Sequence, residues 1–459
     1  MIFIKSECKT GLLPSVFRLG LPIALEGLVA FMLGCIDTVM IGRCGGTQIS
    51  AAYMGGQVQL LLQLVSVGIE GAIIAMCARQ FGRGDTDGVQ KSAGSGALTA
   101  LSVGALLTIV CIIFPKTTVG FFSDKKEIID TGADYLRYLC LSFPFFSLSR
   151  ALIAAMRSVE KTKVGFATSL VALCLKLLFN YMLIFGNLGA QKMGLVGAAL
   201  ATLIARGVEA AILFICVFLI DKRLHLRIRT LLKIPVREIF GFIKHGTPII
   251  LSQLVWAVNT LFGSAIIGRC TSPSASAALG VASSLNGLSY VFANGMSSAL
   301  GILTGKLVGE RDTDTLKRNS KSAQLLFIGI GLLTGAVIYL ARDPFVSLYS
   351  LSPSGVREAR SFIKILAILA VATAYQSATL FGILKNGGDD TFVFKVEAVS
   401  VFLLVLPISS IALRLGLSPS LIFLALKCDQ PIKCIPAAIR VNRFKWLSLC
   451  GKKKNSPTD

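Results

Sequence analysis

Leu21-Pro-Ile-Ala-Leu-Glu26 and, eleven residues beyond that glutamate, Asp37-Thr-Val-Met-Ile-Gly42-Arg-Cys44 bracket the stretch whose reading decides the fold. Everything between them, Gly27–Ile36, is apolar or glycine. A helix rising 1.5 Å per residue needs about 20 such residues to cross a ~30 Å hydrocarbon layer, so the stretch reads as a membrane span. Asp37 is expensive to place in lipid unless it faces a polar cavity or a partner. The outline then returns. Pro248 and Ile267-Gly268-Arg269-Cys270 repeat Pro22 and Ile41-Gly42-Arg43-Cys44 at one offset (248 − 22 = 226; 268 − 42 = 226). Gly263 stands where the first copy has Asp37. A duplicated membrane protein with the acid in one copy implies a transporter.

The composition agrees with a membrane protein. Of 459 residues 54% are hydrophobic and 15% charged, with a mean hydropathy of +0.74, more apolar surface than a water-soluble domain can bury. The net charge of +22 does not indicate nucleic acid, because the basic residues sit in short loops without interleaved aromatics. Twelve cysteines are scattered without a CxxC pair or histidine partners, which argues against a metal or disulfide framework. Cys44 and Cys270 occupy equivalent repeat positions, so a bridge between them is conceivable, although two small rim residues explain them better. Met1–Arg18 shows no cleavage-site pattern, and the first apolar run is expected to stay as an anchor.

Twelve apolar runs follow: 18–41, 49–77, 93–115, 133–155, 165–186 and 194–220, then 239–267, 275–304, 322–341, 361–384, 393–413 and 417–438. The last is weakest, interrupted by Lys427, Asp429 and Lys433, of which the latter two are spaced to pair on one helical face. Basic residues favour alternate connections. Segment 221–245 carries seven, while no connection on the opposite side carries more than three, which predicts that both termini are cytoplasmic. The predicted fold is an all-α integral membrane protein, two six-helix lobes related by a pseudo-twofold axis along the membrane normal. Its expected parts are a first lobe 1–220, a basic linker 221–245 lying partly on the membrane surface, a second lobe 246–446 and a tail 447–459.

The repeat reaches further. Gly82-Arg-Gly-Asp85-Thr-Asp87 matches Gly309-Glu-Arg-Asp312-Thr-Asp314, and Phe121-Phe122-Ser123 matches Leu348-Tyr349-Ser350, both at offset 227. Gly301-x-x-x-Gly305 and Gly331-x-x-x-Gly335 suit close helix packing. Enzyme signatures are missing. Both histidines, His225 and His245, fall in or at the end of the linker, and there is no GxSxG, HExxH or complete P-loop.

Taken together, Asp37-Thr-Val-Met-Ile-Gly-Arg, the Gly82–Asp85 turn, Phe179-Asn180-Tyr-Met-Leu-Ile-Phe-Gly186, Gly194–Thr202, Arg206-Gly-Val-Glu209 and Gly382–Asp390 resemble the multidrug and toxic compound extrusion (MATE) family. The likeness runs from about residue 14 to 446. It implies two six-helix lobes around a V-shaped cavity and export of organic, often cationic, compounds in exchange for protons or sodium ions. No ATP and no cofactor beyond that coupling ion are implied. The expected partners are small organic cations and membrane lipids, with no nucleic acid, and the expected setting is the bacterial inner membrane, as a monomer.

The resemblance makes Asp37 the coupling-ion residue, with Asn180 and Thr202 as polar neighbours in helices five and six. A carboxylate in a low-dielectric cavity binds a proton or a cation but hardly both, which is what exchange requires. Sodium is possible at Asp37, and no other metal site is expected. Where some relatives carry an acid one turn after the asparagine, this chain has Ile184, leaving a sparser site that leans toward protons. The other reading of Asp37 is a structural hydrogen bond to a neighbouring helix. Glu26 falls on the same helical face about 16 Å away, and Glu70 lies at a similar depth on the returning helix. Either is a candidate for a second proton stop and for the substrate cavity, with a gate residue or a carboxylate paired with Arg79 as the other reading. Arg206 and Glu209 are spaced to pair along one helix. Glu397 matches an acid of bacterial relatives and is the second-lobe coupling candidate, unless it pairs with Lys395 or Lys385. Relatives often place a glutamate early in helix seven. Gln253, Trp256 and Asn259 stand there instead as substrate-cavity candidates, with Trp256 able to stack on a flat cation.

Three functions fit this pattern. The first is a secondary active multidrug exporter working by alternating access. The second is a lipid-linked oligosaccharide or lipid flippase of the same superfamily, which calls for a basic cavity and finds its hint in Lys176. The third is a non-transporting receptor or scaffold, which has no use for the repeat with a carboxylate in one lobe.

Overall fold

The computed structural model describes residues 11–43, 46–121, 125–221, 223–224, 226, 231, 234–269, 274–349 and 351–447. Among the described residues the regular structure is helical throughout. Six long helices come first: α1 (Leu12–Gly42), α2 (Gly46–Gly82), α3 (Thr86–Ile113), α4 (Lys126–Ser158), α5 (Thr162–Phe185) and α6 (Gly194–Ile220). Five more follow: α7 (Val236–Gly268), α8 (Ala275–Glu310), α9 (Thr313–Ser347), α10 (Pro353–Gly387) and α11 (Asp390–Arg414). These eleven are long and apolar enough to cross a bilayer. The span expected at 417–438 is broken into α12 (Pro419–Leu426) and α13 (Asp429–Asn442). Pro431 has no N–H to continue the ladder back to Lys427, so the chain turns at Lys427–Cys428 before the helix resumes. The expected linker is also shorter than 221–245, because α7 already begins at Val236. Cys44, Cys270, Phe122, Ser123 and Ser350 lie outside the described residues, as does much of 222–233.

Why these helices belong in lipid is visible on α9. Leu325, Leu332, Leu333 and Leu340 leave 60–75% of their surface uncovered, an arrangement water would penalise and acyl chains do not. The opposite face packs tightly. A Cβ on Gly331 would stand 2.6 Å from the Val371 Cα, and one on Gly335 would stand 2.5 Å from the Ala367 carbonyl oxygen, so α9 meets α10 through its glycine pair.

Contacts sort the chain into two compact units, Leu25–Ile250 and Met1–Ala24 with Leu251–Asp459. Both divisions fall inside continuous helices. In α1 the cut comes two residues after Pro22, and in α7 two residues after Pro248. A proline within a helix removes one backbone hydrogen bond and loosens the ladder at that point.

The duplicated turn folds the same way twice. Asp85 caps α3 by accepting from the Gly88 N–H at 2.8 Å, and Asp312 caps α9 by accepting from the Thr315 N–H at 3.0 Å. The Thr315 hydroxyl and N–H hold the Asp312 carboxyl below its ordinary range. Just before each cap the backbone is left-handed, at Gly84 (φ 71°) and at Arg311 (φ 61°). Glycine adopts that conformation freely, whereas an arginine there is strained by roughly 1–2 kcal/mol. Arg311→Gly is therefore expected to stabilise the protein by about 0.5–1 kcal/mol after the added unfolded-state entropy, and Gly84→Ala to destabilise it. Thermal unfolding in detergent measures both, and identical melting of the two variants and the parent would refute the strain.

Candidate functional site

Helix α1 carries Glu26 and Asp37 on one face, and the structure gives them different surroundings. Asp37 meets α5, where Lys176 and Asn180 are four residues apart and thus share a helical face. The Lys176 ammonium forms an ion pair with Asp37 Oδ2. The Asn180 amide donates to Asp37 Oδ1 at 3.0 Å. Asn180 is buried, and its own amide oxygen has no hydrogen-bond partner. The Asp37 side chain is 25% exposed and the Lys176 side chain 8%, so the carboxylate fronts a cavity and the lysine backs it. That cavity, of ≈ 190 Å³, is walled by Asp37, Thr38, Tyr53, Tyr135 and Thr202 together with small and aliphatic side chains. Thr202 returns its hydroxyl to the Ala198 carbonyl at 2.9 Å. Ile184, one turn beyond Asn180, is fully buried and brings no further oxygen to the site.

Glu26 and Glu70 are elsewhere, in a buried ionic cluster. Arg150 of α4 holds Glu70 through two bonds, Nε to Oε1 at 2.5 Å and Nη2 to Oε2 at 2.8 Å, and reaches Glu26 at 3.4 Å. Arg157, two turns further along α4, pairs with Glu26 at 2.6 Å. Both carboxylates are almost completely buried, which separates them from a solvent-filled cavity wall. Gly165 of α5 lies so close that a Cβ there would collide with the Glu26 carboxylate. Arg79, the partner considered for Glu70, instead donates to the Ala75 carbonyl at 2.6 Å. Arg206 and Glu209 do pair within α6, at 2.6 Å, and the Arg206 guanidinium stacks over Phe146.

The second unit solves the same positions with hydroxyls. At offset 227 Glu70 corresponds to Ser297 and Arg150 to Ser377, and the Ser297 hydroxyl donates to the Ser377 carbonyl at 2.6 Å. The α10 segment matching Arg150–Arg157 is π-helical, Ser377–Leu384. Glu397 pairs at 2.8 Å with Lys433, not with Lys395 or Lys385. Lys433 also binds Asp429 at 2.6 Å, one turn earlier on α13, and all three groups are buried. On α7 Trp256 is exposed, while Gln253 and Asn259 are half-buried. Arg150 and Arg157 are the site residues that the sequence reading passed over. Their signal was two arginines seven apart at the end of an apolar run, which places them on one face.

The MatE family model matches residues 22–182 and 248–411, once over each half of the duplication. The chain belongs to the MatE family. Its MatE relatives include the multidrug resistance protein NorM of Aliivibrio fischeri, 26% identical over 404 residues that cover 85% of each chain. A crystal structure of MATE in complex with MaL6 superposes with a TM-score of 0.87 at 19% identity, covering 97% of this chain and 98% of that one. A transporter of the MOP superfamily from Pyrococcus furiosus, whose binding pocket is described as of reverse polarity, superposes at 0.86 with 19% identity and the same coverage. As a MatE protein this chain is a multi-pass membrane transporter and not an enzyme.

The two units give a direct test of the buried cluster. Glu70→Gln leaves Arg150 without its bidentate partner in a dry interior, an expected loss of about 3–5 kcal/mol. Ser297→Ala at the matching position removes one neutral hydrogen bond, an expected loss of about 1 kcal/mol. Thermal melts in detergent compare the two, and equal losses would show that the ionic cluster contributes no more than the hydroxyl contact.

Proposed function

We propose that this MatE protein is a secondary active multidrug exporter, exchanging organic cations for protons or sodium ions by alternating access. The observation that carries the reading is a carboxylate, Asp37, at the wall of an otherwise largely apolar cavity within the first unit. The name of the Aliivibrio fischeri relative supports multidrug resistance as the broad activity. Of the two ions, the surroundings of Asp37 favour the proton. Its two contacts are N–H donors, whereas a hard cation such as sodium calls for a cage of oxygen ligands. The basic-loop bias supports both termini being cytoplasmic, and the bacterial NorM relatives support a place in the bacterial inner membrane. The flippase reading loses its main support, because Lys176 is neutralised by Asp37 and does not make the cavity basic.

Purified protein in vesicles, loaded with a dye cation and given an imposed proton or sodium gradient, tests the proposal. Acid outside should drive export, and Asp37→Asn should slow it at least tenfold. Efflux indifferent to the sign of the proton gradient, or unchanged in Asp37→Asn, would rule out proton exchange at this site.

A further inference from the structure

Among the described residues of the first unit, four carboxylates lie away from the ends of the apolar helices, buried or at the cavity, Glu26, Asp37, Glu70 and Glu209, and their nearest cations are Arg157, Lys176, Arg150 and Arg206. Three of the four partners are arginines, whose guanidinium keeps its proton under all physiological conditions. The remaining partner is a lysine, and it belongs to the one pair at the cavity. A lysine ammonium deprived of its carboxylate in a low-dielectric interior sheds its proton, and among basic side chains of this kind only lysine readily does so.

An organic cation entering the cavity therefore does not find a bare carboxylate. It finds one already neutralised, and simple addition would leave two cations on one carboxylate, one of them the largely buried Lys176 ammonium. Resting on the exporter reading, we infer that the exchanged proton is carried on Lys176 Nζ, not on Asp37. The organic cation takes the place of the ammonium at Asp37, and Lys176 releases one proton to the cavity water. When a proton returns, Lys176 becomes an ammonium again, re-forms its pair and expels the cation. The site holds one positive charge in either state, so exchange is one for one. The buried amide oxygen of Asn180, which lacks a partner, is placed to accept an N–H from the displaced amine or from the cation. Among the described residues the charged and titratable groups around the pair are Arg206 of α6, itself bound to Glu209, Tyr135 of α4 beside Asp37, and Tyr53 of α2 in the same cavity wall.

A three-way substitution at one position tests this, with ethidium binding to the purified protein followed by fluorescence anisotropy from pH 6 to 9. Wild type should bind about tenfold more tightly per pH unit over the range where one proton leaves. Lys176→Met, with no proton to lose, should bind with an affinity that changes less than twofold across that range. Lys176→Arg, unable to release its proton, should bind at least a hundredfold more weakly than Lys176→Met at every pH. Wild-type pH dependence persisting in Lys176→Met would return the proton to Asp37 and overturn the inference alone. A monodisperse Lys176→Met that melts like wild type yet binds no ethidium would overturn it too. Wild type that binds no ethidium at any pH would instead remove the exporter reading beneath it.

Discussion

A charge within a bilayer needs a counter-charge, and that constraint orders the interior of this protein. The carboxylates buried among the described residues, Glu26, Glu70, Glu209, Asp389, Glu397 and Asp429, each have a basic partner on the same or a neighbouring helix. Such pairs contribute little net stability over an apolar core, because each ion must first leave water. What they contribute is specificity of packing. A helix that turned or slid away from its partner would strand a charge in hydrocarbon, so each pair that joins two helices fixes their register.

The two units use that constraint unequally. The first ties α1, α2 and α4 together through Glu26, Glu70, Arg150 and Arg157. The second places Ser297 and Ser377 at corresponding positions, joined by one neutral bond beside a π-helical turn. A hydroxyl exposed by a small shift finds another carbonyl easily, whereas an arginine that lost both glutamates would not. At these matching positions one copy is held by ions and the other by a neutral hydrogen bond, and the second unit sets its own ion pairs elsewhere, at Glu397, Lys433 and Asp429 and at Asp389 and Arg440. Asp37 fits neither pattern, being the partly exposed acid with a lysine partner at a cavity.

Much of this was legible in the chain itself. The spans follow from unbroken apolar runs, since nothing else satisfies the backbone across a bilayer. The duplication was legible because the turn Gly82–Asp87 recurs at Gly309–Asp314, and the cap chemistry of Asp85 and Asp312 makes both copies fold alike. The pair of Asp429 with Lys433 could be read from a spacing of four, because helical geometry alone decides whether such residues meet. Lys176 could be noticed as a lysine in lipid but not assigned. Its spacing from Asp37 is 139 residues, and no local rule spans that distance.

By itself, then, the sequence determined what each segment does locally: which stretches cross the membrane, where they are capped, where proline breaks the ladder, and which residues share a helical face. Tertiary structure decided which faces meet. That step matched Glu70 with Arg150 instead of Arg79, Glu397 with Lys433 instead of Lys395 or Lys385, and Asp37 with Lys176. The reason is physical. Backbone hydrogen bonds within a helix act over four residues and are set by local chemistry, whereas the partner of a buried charge is chosen by the packing of helices far apart in the chain.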